Sequence, residues 1–179
     1  MVVSCFFVFG AIGDVADTKR LVSSLESFSD EHGVVVQVVD AELVCGSIHL
    51  SSAVEHALRA SVEERMATRS LAMEVLLYAS GERQIQYALP KMGVKVGRSV
   101  GIGGVVISQS EKKDEKELEA LVCDLLAIFG WRRDDKVLVG DSDCLFRFGI
   151  SEVELETMPK DKYEDLILEK VALVDILKK

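Results

Sequence analysis

The run Val34–Val39, VVVQVV, constrains this chain more than any other stretch. It is too short and too β-branched to stand as an isolated helix, so it reads as a strand. Two other stretches read the same way. Val2–Phe9 is short, β-branched and aromatic and ends at Gly10, and Val100–Ser108 (VGIGGVVIS) concentrates its strand character in Val105–Ile107. The glycines Gly101, Gly103 and Gly104 invite comparison with a phosphate-binding loop. Such a loop needs its glycines after a strand and before a helix N-terminus, whereas these precede the most strand-like residues. They are expected to mark a bulge or a close backbone approach.

Between the strands the period changes to that of helices. From Asp14, a candidate cap, to about Phe28, apolar Val15, Leu21, Val22, Leu25 and Phe28 recur among polar residues, and the pattern stops before the Asp30–Gly33 turn. Asp40–Glu64 predicts a short helix and a long one, broken near Cys45–Ser47 by Gly46, with Ile48, Ala53, Ala57 and Leu58 on a common face. Leu71–Ala79 has Glu74 as its single charge and is expected to be buried on most sides. Ser80–Gly81 ends it, and Glu82 starts a short helix with Ile85, Ala88 and Leu89 on one side and Pro90–Gly93 near its end.

Glu111–Phe129 reads as an amphipathic helix closed by Gly130, with Leu118, Leu121, Val122, Leu125, Leu126 and Phe129 inward and the charge-dense run Glu111–Glu119 solvated. Trp131–Arg133 begins a connection, Val137–Val139 suits an edge strand, and Asp141–Phe148 a short helical turn. Ser151-x-x-Glu154 is a capping box, and Pro159 suits the start of a last helix striped by Tyr163, Leu166, Ile167, Val171, Val174 and Leu177. With 179 residues and no linker, one domain is expected.

Little in the chain suggests catalysis or metal binding. No nucleophile elbow, zinc-protease helix, phosphate loop or kinase signature is present. His32, His49 and His56 suit surface or packing roles, because His49 and His56 are two turns apart and cannot grip one ion as an i, i+4 pair does. Asp141 and Asp143 are expected in a polar turn and cap. Cys5, Cys45, Cys123 and Cys144 match no CxxC pattern and are read as reduced, buried thiols of a cytoplasmic protein. The apolar N-terminus lacks a basic leader and is far shorter than a membrane span. No catalytic residue, metal or cofactor is expected.

A formal net charge of −9 excludes a distributed phosphate-binding surface. The charge is uneven, however. Residues 65–98 hold Arg65, Arg69, Arg83, Lys91, Lys95 and Arg98 against Glu74 and Glu82, and they form the one net-basic stretch. That window contains the Ser80–Gly81 turn. A helix start there would aim backbone N–H groups at an anion, with Arg83 in its first turn, Gln84 offering donors and an acceptor, and Ile85 or Tyr87 offering a surface to a splayed base. From charge alone, Arg83 and Gln84 are equally compatible with ordinary solvated turn residues.

The segment MEVLLYASGERQIQYALPKMGVK resembles the signature of the kinase-binding subunit family of the KEOPS (EKC) tRNA-modification complex, related to the eukaryotic PRPK-binding protein. The tail ISEVELETMPKDKYEDLILEKVALVDI resembles that family's C-terminal helices. The resemblance implies an α/β (α+β) fold in which a small, mainly antiparallel sheet packs with several helices. It also implies no enzymatic activity, a Bud-type atypical protein kinase as direct partner, and a Kae-type transferase as indirect one. The product would be threonylcarbamoyladenosine at tRNA position 37, with the tRNA 3′ CCA end bound directly and no membrane involved. Carried onto matching positions, the nucleic-acid-binding set is Ala79, Ser80, Gly81, Arg83, Gln84 and Ile85, with Arg69 and Lys91 as electrostatic helpers. Tyr78 departs from the family's usual Arg and could stack instead. A nucleotide-binding enzyme using the basic turn Ser80–Arg83, and a purely structural adaptor, are the competing readings.

Overall fold

A computed structural model describes residues 5–110 and 113–177. Its elements, in chain order, are β1 (Phe6–Val15), α1 (Thr18–His32), β2 (Val34–Asp40), α2 (Ser47–Val62), α3 (Leu71–Ser80), α4 (Ile85–Met92), β3 (Gly97–Ser108), α5 (Glu115–Phe129), β4 (Arg132–Arg133), α6 (Ser142–Phe148), α7 (Glu152–Glu156) and α8 (Tyr163–Leu177). The fold is α+β, with a four-stranded antiparallel sheet. The chain divides into two compact units, Met1–Ala41 with Val94–Val137, and Glu42–Gly93 with Leu138–Lys179. Among the described residues no helix is long and apolar enough to cross a membrane.

The first unit holds the sheet, ordered β2-β3-β1-β4. Phe9, Ala11, Val36, Val38, Ile102 and Val106 from the strands form one core with Leu21, Leu25 and Phe28 of α1 and Leu118, Val122 and Leu125 of α5. The glycines of β3 serve close approach, as expected of strand glycine. Gly104 faces Phe9 across the ladder, where a Cβ would overlap the phenyl ring, and Gly103 pairs with Gly10. The irregularity in register falls on β1, between Gly13 and Val15.

Several boundaries differ from the sequence reading. β1 continues past Gly10 to Val15, because Gly10 and Gly13 lack side chains where Asp134–Val137 and the Trp131 ring lie against them. Asp14 is therefore a strand residue whose carboxylate accepts the Ser99 N–H at 2.8 Å. Asp17 caps α1 in its place, accepting from the Lys19 and Arg20 amides. Val22, assigned to the dry face of α1, is exposed. The edge strand is β4, not Val137–Val139. Asp135 accepts the Gly10 N–H at 2.8 Å and Asp134 donates its N–H to the Gly10 carbonyl, and this turns the chain into a 3-10 segment, Asp135–Leu138. α5 begins at Glu115 behind an Asp114–Glu117 capping box, while Glu111 and Lys112 lie outside the described residues.

The second unit is helical. In α2 the buried face is His49, Leu50, Ala53, Val54, Ala57 and Ala60, so Ile48, assigned to that face from sequence, points outward. Val171 and Val174 of α8 are buried, whereas Leu177, the end of the expected stripe, is exposed. The cysteine reading is also corrected. Cys45 and Cys144 form a disulfide between residues 99 apart in sequence, made possible because Gly140 lets the chain pass against the Cys45 backbone. Cys5 is a half-buried thiol and Cys123 an exposed one.

A candidate nucleic-acid interface at the end of α3

α3 starts at Ser70, whose hydroxyl accepts the Met73 N–H. Behind that cap Glu74 is fully buried, a costly place for a carboxylate unless it is well bonded. It accepts from the Ala67 and Thr68 amides and the Thr68 hydroxyl, all within 2.8–3.2 Å, which anchors the preceding loop. Val75 through Ala79 are buried, as the apolar composition requires. Tyr78 is not available for stacking on a base. Its ring is buried against His56 and its hydroxyl donates to Asp175 of α8, and burial together with that bond pushes the phenol pKa up.

The helix ends with three local devices. The Ser80 hydroxyl donates to the Leu77 carbonyl at 2.8 Å and accepts the Glu82 N–H at 3.2 Å. Gly81 adopts φ 68°, where a side chain would be strained, and donates its N–H to the Tyr78 carbonyl. Glu82 is drawn back by Lys91, whose ammonium lies 3.1 Å from its carboxylate. In consequence α4 starts at Ile85, not Glu82, with Gln84 extended at φ −133°. Arg83 precedes the helix and does not lie in its first turn. Ala88 and Met92 form the buried side of α4, and Leu89 is exposed, contrary to the predicted face.

The eight residues proposed from sequence thus occupy different environments. Arg83 and Gln84 are exposed and adjacent, Ile85 and Gly81 are half-buried, and Tyr87 is exposed one turn into α4. The Gln84 side chain accepts from Gln86 at 2.7 Å. Ala79 and Ser80 are fully buried and shape the turn from inside. Lys91 is brought to the turn but is held there by Glu82 and by the Phe148 ring, 4.4 Å below its ammonium. Arg69 sits at the opposite end of α3, about 15 Å away by helical rise.

Three further participants were not assigned to this site from sequence. Phe148 of α6 packs beside Gly81, where a Cβ would come within 3.2 Å of the ring, and the Lys170 stem of α8 flanks the same point. Fully buried His49 donates its Nε2–H to the Ala79 carbonyl at 2.8 Å and accepts the Cys45 N–H on Nδ1 at 3.1 Å. Burial lowers its pKa to about 4, with the Lys91 charge adding to the effect and the bond to Ala79 opposing it. The one sequence hint was that His49 lies among apolar residues. A turn with an arginine and an amide at its tip, on a rigid buried frame, can bind an anionic or base-bearing ligand without large rearrangement.

A family model described as "Kinase binding protein CGI-121" matches residues 12–130, a span that contains α3, the turn and α4. No curated protein matches the chain.

Proposed function

This chain belongs to the CGI-121 family of kinase-binding proteins, and from that premise we propose that it is a non-catalytic accessory subunit of the KEOPS complex. In this reading it binds the Bud-type atypical kinase, reaches the Kae-type transferase through it, and holds the tRNA 3′ CCA end on the turn Ser80–Ile85. It thereby supports threonylcarbamoyladenosine formation at tRNA position 37. The observation that carries the reading is the exposed pair Arg83–Gln84, which follows a left-handed Gly81 after one intervening residue, Glu82, ahead of the first-turn amides of α4. The guanidinium is suited to a phosphate and the amide to a base edge, and single-stranded RNA ends present both. Arg69, distant along α3, contributes only long-range attraction, and Lys91 acts mainly by fixing Glu82.

Charge reversal at one exposed residue is the direct test. Arg83→Glu should weaken tRNA binding about tenfold or more at matched salt, the scale of one charge-assisted contact, and leave co-purification with the kinase unchanged. Trimming CCA from the tRNA should remove most binding, and equal affinity for trimmed and intact tRNA would point to the helical body instead. Unchanged tRNA affinity in Arg83→Glu would remove this turn from the proposal.

A further inference from the structure

We propose that the Cys45–Cys144 disulfide is a thiol–disulfide control on the conformation of the Ser80–Ile85 turn, and its significance for RNA rests on the reading of that turn given above. Two arms lead from the bond to the turn. On the Cys45 side, the backbone N–H donates to His49 Nδ1, and His49 Nε2–H donates to the Ala79 carbonyl, the residue before Ser80. Both ring nitrogens are thereby engaged in one tautomer, and the ring is a rigid spacer between the loop and the end of α3. On the Cys144 side, Phe148 lies four residues along α6, on the same helix face. Its ring meets the His49 ring edge-on at 5.3 Å, abuts Gly81 and supports the Lys91 ammonium that holds Glu82. The sulfur–sulfur bond closes these arms into a ring of contacts around the turn.

Both half-cystines are buried, one in the loop before α2 and the other in a helix of seven residues. Cys5 and Cys123, the free thiols, lie in the other unit. Two thiols cannot remain at bonding distance in a close-packed interior. Reduction therefore displaces Cys45, α6 or both, and packed neighbours transmit the shift to His49 and Phe148. The chemistry requires a dithiol reductant. One of its thiolates attacks a protein sulfur to form a mixed disulfide, and its second thiol displaces the protein sulfur. Two electrons and two protons leave Cys45 and Cys144 as thiols and the reductant as a disulfide. Because the sulfurs are buried, attack follows local opening of the short α6 segment.

The test uses the full chain. Denatured without reductant, it should titrate two free thiols, and four would overturn the proposal. Hydrogen exchange is then compared between the oxidised protein, the dithiothreitol-reduced protein and Cys45→Ser/Cys144→Ser. Reduction should speed exchange of the hydrogen-bonded Gly81 and Glu82 amides about tenfold or more, with β1–β3 unaffected. Re-oxidation should restore the wild type, and the double variant should stay at the reduced value. Equal exchange in both redox states overturns the proposal. So does loss of protection throughout α2 and α3, which would make the bond a staple of the whole unit. Intact tRNA is measured in parallel. Weaker binding on reduction supports both readings, whereas redox-sensitive exchange with tRNA affinity absent or unchanged supports the control and rejects the RNA reading of the turn.

Discussion

His49 concentrates the chemistry of the second unit in one ring. Its pKa is lowered to about 4, chiefly by burial, against an ordinary value of 6.5. The unfolded chain therefore takes up a proton at this residue between about pH 6.5 and pH 4 that the folded chain refuses, so stability falls as pH falls through that window. The loss amounts to at most about 3 kcal/mol. Urea unfolding of the wild type across this range should show the decline, and His49→Gln, which does not titrate, should lack that component while being less stable at pH 7. Identical pH slopes would mean that the ring is protonated in the fold. Tyr78 gives the same lesson from the other side. Its position in the signature suggested a ligand contact, and a hydroxyl committed to Asp175 makes it a frame residue.

At the scale of elements, the glycines of β3 are structural. Gly104→Ala should cost about 1–3 kcal/mol by overpacking against Phe9. Denaturant midpoints of Gly104→Ala, and of the same change combined with Phe9→Leu, measure this, and the double variant should recover part of the loss because the two sites share one volume. These elements also show where sequence reading succeeds. Gly46, Gly81 and Gly130 end or separate helices as expected, and Ser151 with Glu154 forms the capping box. Each of these is closed within a few residues. The errors fell where a distant partner decided the outcome. Trp131 and Asp135 extend β1 through Gly10 and Gly13, and Lys91, bound to Glu82, delays α4.

For the whole molecule, the basic window is divided between the two units. Arg65 is paired with Glu63 and Asp175, Arg69 lies at the far end of α3, and Lys95 and Arg98 belong to the sheet-bearing unit. Arg83 stands at the turn with Lys91 beside it, in a chain of net charge −9. The salt dependence of tRNA binding should therefore be shallow, with a log–log slope of about −0.7 to −1.4, given about −0.7 per neutralised single-strand phosphate. Titrations over a range of salt concentrations check this, and a slope near −5 would indicate a broad phosphate surface elsewhere. By itself the sequence determined the mixture of strands and helices, several helix ends and the place of the turn, because periodicity and capping are set by neighbours in the chain. Only the tertiary structure decided what frames the turn: His49 beneath Ala79, Phe148 beside Gly81, and the bond between Cys45 and Cys144. Those meetings close long loops and depend on how whole helices pack, and no local pattern encodes that.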